Sequence, residues 1–373
     1  MSAQGPLKVR FDARMIAHSG IGTQIQNVLA LLTATPEVRL HLLGAEREIR
    51  RFLPDFAGPI TEFNSPIYSM REQVHFPGPD IDEILHVPHY NAPVRYLGKT
   101  LVMLHDLIHL QSREFAKPQY RIYASSLLAM IARRAAHIAT VSDTTRMEFL
   151  KRYPRAAPKT TVLYNGINHG LFRPTGGDVQ RKFRRKYDLP AEYLLAVGIG
   201  KMHKNIDFVI RSLAPLWRSG TLKEKLVLAG TAGKLPEYVS AALERERAQD
   251  HLVLLPRVPE AELPAMYGAA RLFIFPSLLE GFGFPLIESM ACGTPAVSSS
   301  ASCLPEIGAD AALYFDPRDP ESLRRAVRRV LEDRKLSQKM RTGGLRRSAD
   351  FQWQKHVHGL IELYRTISPR IND

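Results

Sequence analysis

Along the chain, short apolar runs of strand type alternate with segments whose apolar residues recur every three or four positions. In the first half, Leu7–Phe11 reads as a strand and Ile25–Leu32 as a helix. Further strands are predicted at Arg39–Leu43, Glu83–Val87, Thr100–Leu104, His137–Val141 and Thr160–Leu163, and helices at Tyr120–Arg134 and Asp143–Arg152. The second half repeats the scheme, with strands at Tyr193–Val197, Lys225–Ala229, Leu252–Leu255, Leu272–Phe275 and Ala296–Ser298. Helices are expected there at Asn205–Trp217, Pro236–Gln249, Glu260–Tyr267 and Phe284–Ala291, and Trp353–Ile367 reads as a final helix. Such βαβ alternation implies parallel sheets with helices on both faces, hence an α/β chain of two doubly wound, Rossmann-like domains. The polar, Pro/Gly-bearing stretch Asn168–Gly177 marks the expected boundary, giving domains 1–170 and 171–352.

Composition narrows the class. Of 373 residues, 45% are hydrophobic and 24% charged, the profile of a globular protein rather than a disordered one. The two cysteines, Cys292 and Cys303, exclude a disulfide framework or a Cys-rich zinc module. Neither a signal-type apolar segment nor a run of about 18 apolar residues is present, so the expected location is cytoplasmic. Net charge is +14, split into +6 for residues 1–170 and +8 for the rest. The charge is spread, without the aromatic-basic interleaving of an RNA-binding surface, so nucleic acid is not an expected partner. Arg324, Arg325, Arg328 and Arg329 fall opposite an apolar stripe of Leu323, Ala326, Val327, Val330 and Leu331, which makes them the outer face of a helix.

In open α/β sheets ligands bind beyond the carboxyl ends of the strands, so the residues just after strands carry the chemistry. The strand Tyr193–Val197 runs into Gly198-Ile199-Gly200-Lys201-Met202-His203-Lys204-Asn205 and then a helix, for which Asn205 is the expected N-cap. Backbone amides, the helix dipole and the Lys204 charge together suit a phosphate. A third glycine at the dinucleotide spacing is missing, so NAD is not implied. After Leu272–Phe275 come Pro276-Ser277 and Glu280-Gly281-Phe282-Gly283-Phe284-Pro285-Leu286-Ile287-Glu288. A carboxylate accepts two hydrogen bonds at once and so matches a vicinal diol, and two carboxylates across a glycine turn can hold two diols on one molecule.

These residues, with Leu255-Pro256-Arg257-Val258-Pro259, Met290-Ala291-Cys292-Gly293-Thr294-Pro295 and Leu304-Pro305-Glu306, resemble the retaining glycosyltransferase family 4 with its Glu-x7-Glu element. Lys204, Ser142, Asn165-Gly166 and Trp353 extend the resemblance over nearly the whole chain. It implies the GT-B fold, in which two Rossmann-like domains face each other across a cleft and a C-terminal helix, here 353–369, packs back on the first. It implies a donor site of Gly198, His203, Lys204, Arg257, Val258, Glu280, Gly281, Phe282, Gly283, Phe284 and Glu288. Within it, Glu288 would accept from the ribose, Glu280 would hold donor-sugar hydroxyls, and Lys204 would neutralise the leaving diphosphate. Ile199 and His203 stand where family members often carry Arg. His105, Glu280 and Lys204 are the implied catalytic residues, and Gly20, Ile21 and Gly22 the implied mobile glycine loop. The expected reaction moves a hexose, mannose from GDP-mannose as the first choice, to a glycan or lipid-linked acceptor, without metal or other cofactor. A protein that binds a nucleotide sugar or nucleic acid without turnover is the alternative.

Three further features bear on this expectation. His105 and His109 have the i, i+4 spacing of a zinc pair but follow a strand and lack the accompanying glutamate. Asp80-Ile81-Asp82 has the form of a metal-binding Asp-x-Asp, without a nucleotide-binding unit before it. Arg47, Arg50, Arg51, Arg133 and Arg134 would suit peripheral contact with anionic headgroups at the inner face of a membrane.

Overall fold

The computed structural model describes residues 5–18, 20–67, 69–111, 118–231 and 235–368. The chain divides into two compact units, Met1–Gly166 with Gln352–Asp373, and Ile167–Phe351.

The first unit is built on a parallel sheet of β1 (Leu7–Asp12), β2 (Val38–Gly44), β3 (Ile60–Glu62), β4 (Ile84–Val87), β5 (Thr100–Leu104), β6 (His137–Thr140) and β7 (Thr160–Val162), in the order β3-β2-β1-β4-β5-β6-β7. Val9 stands opposite both Leu40 and Ile84, so β1 is central. Every residue of β4, β5 and β6 is buried, which apolar strands tolerate only when helices cover both faces. On one face Leu85, Val102 and Ile138 pack with Leu127, Leu128 and Ile131 of the helix Pro118–Arg134. The last helix, Trp353–Ile367, also belongs to this unit and packs on the helix Ile21–Leu32. It buries Trp353, His356, Val357, Leu360, Tyr364 and Ile367. Gly166 passes so close to its start that an added Cβ would lie 2.2 Å from the Trp353 amide nitrogen.

The second unit repeats the design with β8 (Tyr193–Val197), β9 (Lys225–Thr231), β10 (Leu252–Pro256), β11 (Leu272–Phe275), β12 (Ala296–Ser299) and β13 (Leu313–Phe315), all parallel in the order β10-β9-β8-β11-β12-β13. The helix Ile206–Arg218 turns Ile206, Val209, Ile210, Leu213 and Trp217 into the core, with Asp207 in its first turn and Arg218 in its last. Each such side chain contributes about 1.5–3 kcal/mol by leaving water. The helix Pro320–Glu332 buries Leu323, Ala326, Val327 and Val330 and starts from Asp319, whose side chain accepts from the Glu321 amide. Chain direction through each sheet reverses beside its first strand, between β1 and β4 and between β8 and β11. Loops leaving two such neighbours diverge and open a crevice at their carboxyl ends.

The pattern missed the three-residue edge strands β3 and β13 and the helices Glu46–Phe52, Met70–His75, Gly177–Lys186, Leu304–Gly308 and Arg334–Ser348. Most of these bury little: Gly177–Lys186 buries only Phe183, so its basic run Arg181–Lys186 shows almost no apolar period. No helix of the described residues is long and apolar enough to cross a membrane.

Candidate active site

At the β8/β11 crevice the loop Gly198–Lys201 leads into a 3₁₀ turn, Met202–Lys204. Ile199, at a position where the resembling family often carries Arg, is buried in the apolar core, and the Tyr238 hydroxyl donates to the carbonyls of Ile199 (2.7 Å) and Lys201 (3.2 Å), fixing the loop. His203 is buried, and its carbonyl accepts from the Leu278 amide at 2.8 Å, tying this loop to the one after β11. Lys204 Nζ lies 2.5 Å from Glu280 Oε1 and 5.5 Å from the Phe275 ring centroid. Asn205 is the N-cap residue of the helix Ile206–Arg218, as expected, but its side chain makes no capping bond. Its backbone is left-handed, and its amide donates instead to the carbonyls of Pro276 (3.3 Å) and Pro317 (3.1 Å). Left-handed backbone is least costly for Gly and Asn, so asparagine is used here for conformation and for bridging two strand exits.

Glu280 stands in the loop after β11, its main chain held by Ser302, whose hydroxyl donates to the Glu280 carbonyl at 2.7 Å and accepts from the Glu280 amide at 3.2 Å. Gly283, with φ of 90°, ends the turn at the start of the helix Phe284–Ala291, and a Cβ there would come 2.8 Å from Leu304 Cδ2. Phe282 is buried edge-on against Phe284 and Phe351, leaving Gly281 and Gly283 as the small residues beside the carboxylate. One turn into the helix, Glu288 accepts from the Tyr267 hydroxyl at 2.7 Å. Burial pushes the Glu288 carboxyl up to about 7, against the lowering effect of that hydrogen bond. Val258 is buried after β10, whereas Arg257 is exposed. Tyr238, Tyr267 and Ser302 were not legible as site residues: each reaches the site through a contact distant in sequence, and none sits in a motif.

In the first unit His105 follows β5, and its Nε2–H donates to the Pro88 carbonyl at 3.0 Å. A carbonyl only accepts, so the proton is on Nε2 and Nδ1 is left as an acceptor. Burial pushes this imidazole down to about 4, which makes it neutral at pH 7. The side chain of His109 and the residue Ser19 lie outside the described residues, so the His105/His109 pair is not described. Gly20 precedes the helix that Ile21 and Gly22 begin, and Gly22 packs on the Ile16 carbonyl, where a Cβ would stand at 2.7 Å. Ser142 is a buried cap, accepting from the Thr145 amide at 3.2 Å.

A buried ionic cluster joins the exits of β1 and β4. Arg14 pairs with Asp12 and Glu72, His89 Nε2 meets Asp12 at 3.2 Å, and Asn91 donates to Glu72. Burial opposes ionisation of Asp12, but Arg14 and His89 hold its carboxyl well below the usual range, while burial raises that of Glu72. Ligand atoms of Asp12, Glu72 and His89 lie within 4.8 Å of one another, yet the Arg14 guanidinium already bridges both carboxylates and takes the place of a cation. Asp80 and Asp82 lie just before β4, near its amino end, where Arg10 approaches Asp80 at 3.4 Å and Lys8 pairs with Asp82. They are thus at the opposite end of the sheet from the crevice.

Two sequence families match in succession: Glycosyltransferase Family 4 over residues 31–171 and Glycosyl transferases group 1 over residues 179–347. The chain belongs to the family-4 type of glycosyltransferases. In this glycosyltransferase Lys204, Glu280 and Glu288 fall within the group 1 match and His105 within the other, while Gly20–Gly22 precede both. O-antigen chain mannosyltransferase B of Escherichia coli is 29% identical over 290 residues, 77% of this chain and 75% of that one. The serotype-specific mannosyltransferase WbdA of Escherichia coli is 27% identical over 77% of this chain, a match that spans 35% of its own length. Among solved structures, Anabaena Alr3699/HepE in complex with UDP and glucose superimposes with a TM-score of 0.75 at 17% identity, covering 95% of this chain and 98% of that one. WaaG, a glycosyltransferase involved in lipopolysaccharide biosynthesis, gives 0.70 at 15% identity over 94% and 98%. The glycosyltransferase therefore has the GT-B fold.

Proposed function

We propose that this glycosyltransferase moves mannose from GDP-mannose to a hydroxyl of a glycan or lipid-linked acceptor, with retention of the anomeric configuration, in the synthesis of a cell-surface polysaccharide. One observation carries the reading: the Lys204–Glu280 pair, at 2.5 Å, stands at the crevice between β8 and β11 with Glu288 on the helix that follows. It supplies a cation for a diphosphate and two carboxylates for two sets of vicinal hydroxyls. The mannosyltransferase relatives support mannose, and their O-antigen and serotype roles support the polysaccharide.

On this reading Glu288 accepts from the ribose, Glu280 from the transferred sugar, and Lys204 with the amides around Gly198–Lys201 stabilises the diphosphate. Transfer breaks the bond between the anomeric carbon and the diphosphate oxygen, with the electron pair leaving on the diphosphate. The acceptor hydroxyl bonds to the same carbon from the same face, and its proton passes to the leaving phosphate oxygen. The transition state has oxocarbenium character, so the protein's task is to stabilise the departing charge and hold the acceptor in place. Lys204 performs the electrostatic role that a divalent metal has in other nucleotide-sugar enzymes, and the reaction is proposed to need none.

The test is a thermal-shift panel of nucleotide diphosphates and their sugars, followed by transfer from the best donor and determination of the product anomer. A ligand at 100 times its dissociation constant stabilises by about 2.7 kcal/mol. GDP and GDP-mannose are expected to shift the melt most. A panel in which uridine compounds alone do so overturns the donor, and an inverted product overturns the stereochemistry.

A further inference from the structure

Glu280 is held from two directions, and only one of them passes through its carboxylate. Lys204 fixes Oε1 at 2.5 Å, while the main chain of the same residue is fixed by the neighbouring strand exit, the turn after β12. There a single hydroxyl, that of Ser302, satisfies both backbone groups of Glu280, donating to the carbonyl at 2.7 Å and accepting from the amide at 3.2 Å. The Cys303 thiol adds a second donor to that carbonyl at 3.2 Å, and burial keeps it a thiol by pushing its pKa far up. Leu304, next in the chain, is the residue against which Gly283 packs. Residues 302–304 thus touch both ends of the loop 280–283.

Ser302 makes these bonds with a φ of 56°, in the left-handed region that disfavours every residue with a Cβ. Glycine would hold that backbone more easily, so the hydroxyl is what a serine supplies at this position and glycine does not. We infer that Ser302 is a positioning residue for the transfer step: it sets the Glu280 main chain so that the carboxylate meets the sugar, with no contact of its own to the reacting atoms. The inference rests on the assignment of Glu280 to the donor sugar.

Ser302→Gly separates this role from plain support of the loop, because it removes the hydroxyl and relieves the backbone together. A purely structural Ser302 predicts a melting temperature that moves and a turnover that follows it. A positioning Ser302 predicts a melting temperature close to that of the wild type, GDP affinity within about twofold, and kcat for GDP-mannose lower by about tenfold or more. The same substitution in a Glu280→Ala background is then expected to change kcat by less than about twofold, since a residue acting through Glu280 has nothing left to position. Unchanged kcat in Ser302→Gly, or an equal loss with and without Glu280, overturns the inference. A wild-type protein that uses another nucleotide sugar changes the donor assignment alone, and the cycle is read with that sugar. A wild type that transfers from none removes the proposed function and this inference with it.

Discussion

A carboxyl group with a pKa of about 7 is half protonated at neutral pH, and Glu288 is such a group because burial strips its charge of water while one hydroxyl, from Tyr267, partly compensates. In the proposed role, ribose hydroxyls donating to it would favour the ionised form, so nucleotide binding would draw its pKa down and expel a proton. GDP affinity is expected to rise from pH 6 to 8 and level off above, with proton release visible in calorimetry as a binding enthalpy that depends on the buffer. Glu288→Gln is expected to abolish that dependence and to weaken GDP by about 1–3 kcal/mol. His105 lies in the first unit, and its neutral ring makes no ion pair with a phosphate. His105→Ala is expected to leave GDP affinity within about threefold, or 0.7 kcal/mol, and to lower transfer by about tenfold or more. Full transfer activity in that variant would remove His105 from the site. Lys204→Ala is expected to reduce kcat strongly while the wild type keeps its activity in excess EDTA; loss of activity on chelation, restored by magnesium or manganese, would overturn the role given to Lys204.

Elements were legible where burial imposed a period. Thr100–Leu104, Tyr193–Val197, Leu272–Phe275, Phe284–Ala291 and Trp353–Ile367 have the limits the pattern gives, because each buries a continuous run or a full stripe; Asp143–Arg152 also has the predicted limits, although it buries only Thr145 and Phe149. Leu313–Phe315 has three residues at a sheet edge, of which only Phe315 is buried, and Arg334–Ser348 buries only Met340, Gly344 and Ser348. Local chemistry at the site was readable as far as it lay within one segment: Lys204 in its glycine loop, Glu280 and Glu288 across their turn. The tyrosine under Glu288, the serine behind Glu280 and the real work of Asn205 depend on which strand exits are neighbours, and that is set by the sheet order rather than by adjacent residues. The close passage of Gly166 at Trp353 belongs to the same class. Gly166→Ala drives a methyl into the amide nitrogen of the final helix, where no side chain can yield, and is expected to cost about 3 kcal/mol, seen as an early melt of the first unit.

For the whole molecule, the parallel sheets and the α/β class follow from the alternation of apolar runs, whereas the strand order is seen only in the folded chain, and pH dependence follows from tertiary burial that the sequence does not display. Three imidazoles of the first unit are kept neutral by burial, His86 at about 3 and His105 and His356 at about 4, against 6.5 when exposed. The unfolded chain therefore binds more protons below pH 6.5, and stability present above that value is lost as pH falls toward 4. Glu288 acts oppositely in the second unit, binding a proton when folded that the unfolded chain has released, so its contribution declines as pH rises from 4.5 to 7. Acidification is expected to lower the melting temperature of the first unit before that of the second, and His86→Phe, which cannot be protonated, to blunt the effect. Thermal melts between pH 7 and 4 that move both units together would contradict it.

The helix Trp353–Ile367 gives this protein an order of assembly. During synthesis the second unit, Ile167–Phe351, is complete before the first unit has its last piece. At 5–20 residues per second, the earlier-made half waits roughly 10–40 s with the surface that Trp353, Leu360 and Tyr364 will cover still open to water or to a chaperone. A released chain ending at Phe351 should accordingly retain GDP while its amino-terminal half remains open to protease, so the end of the molecule made first is the one finished last.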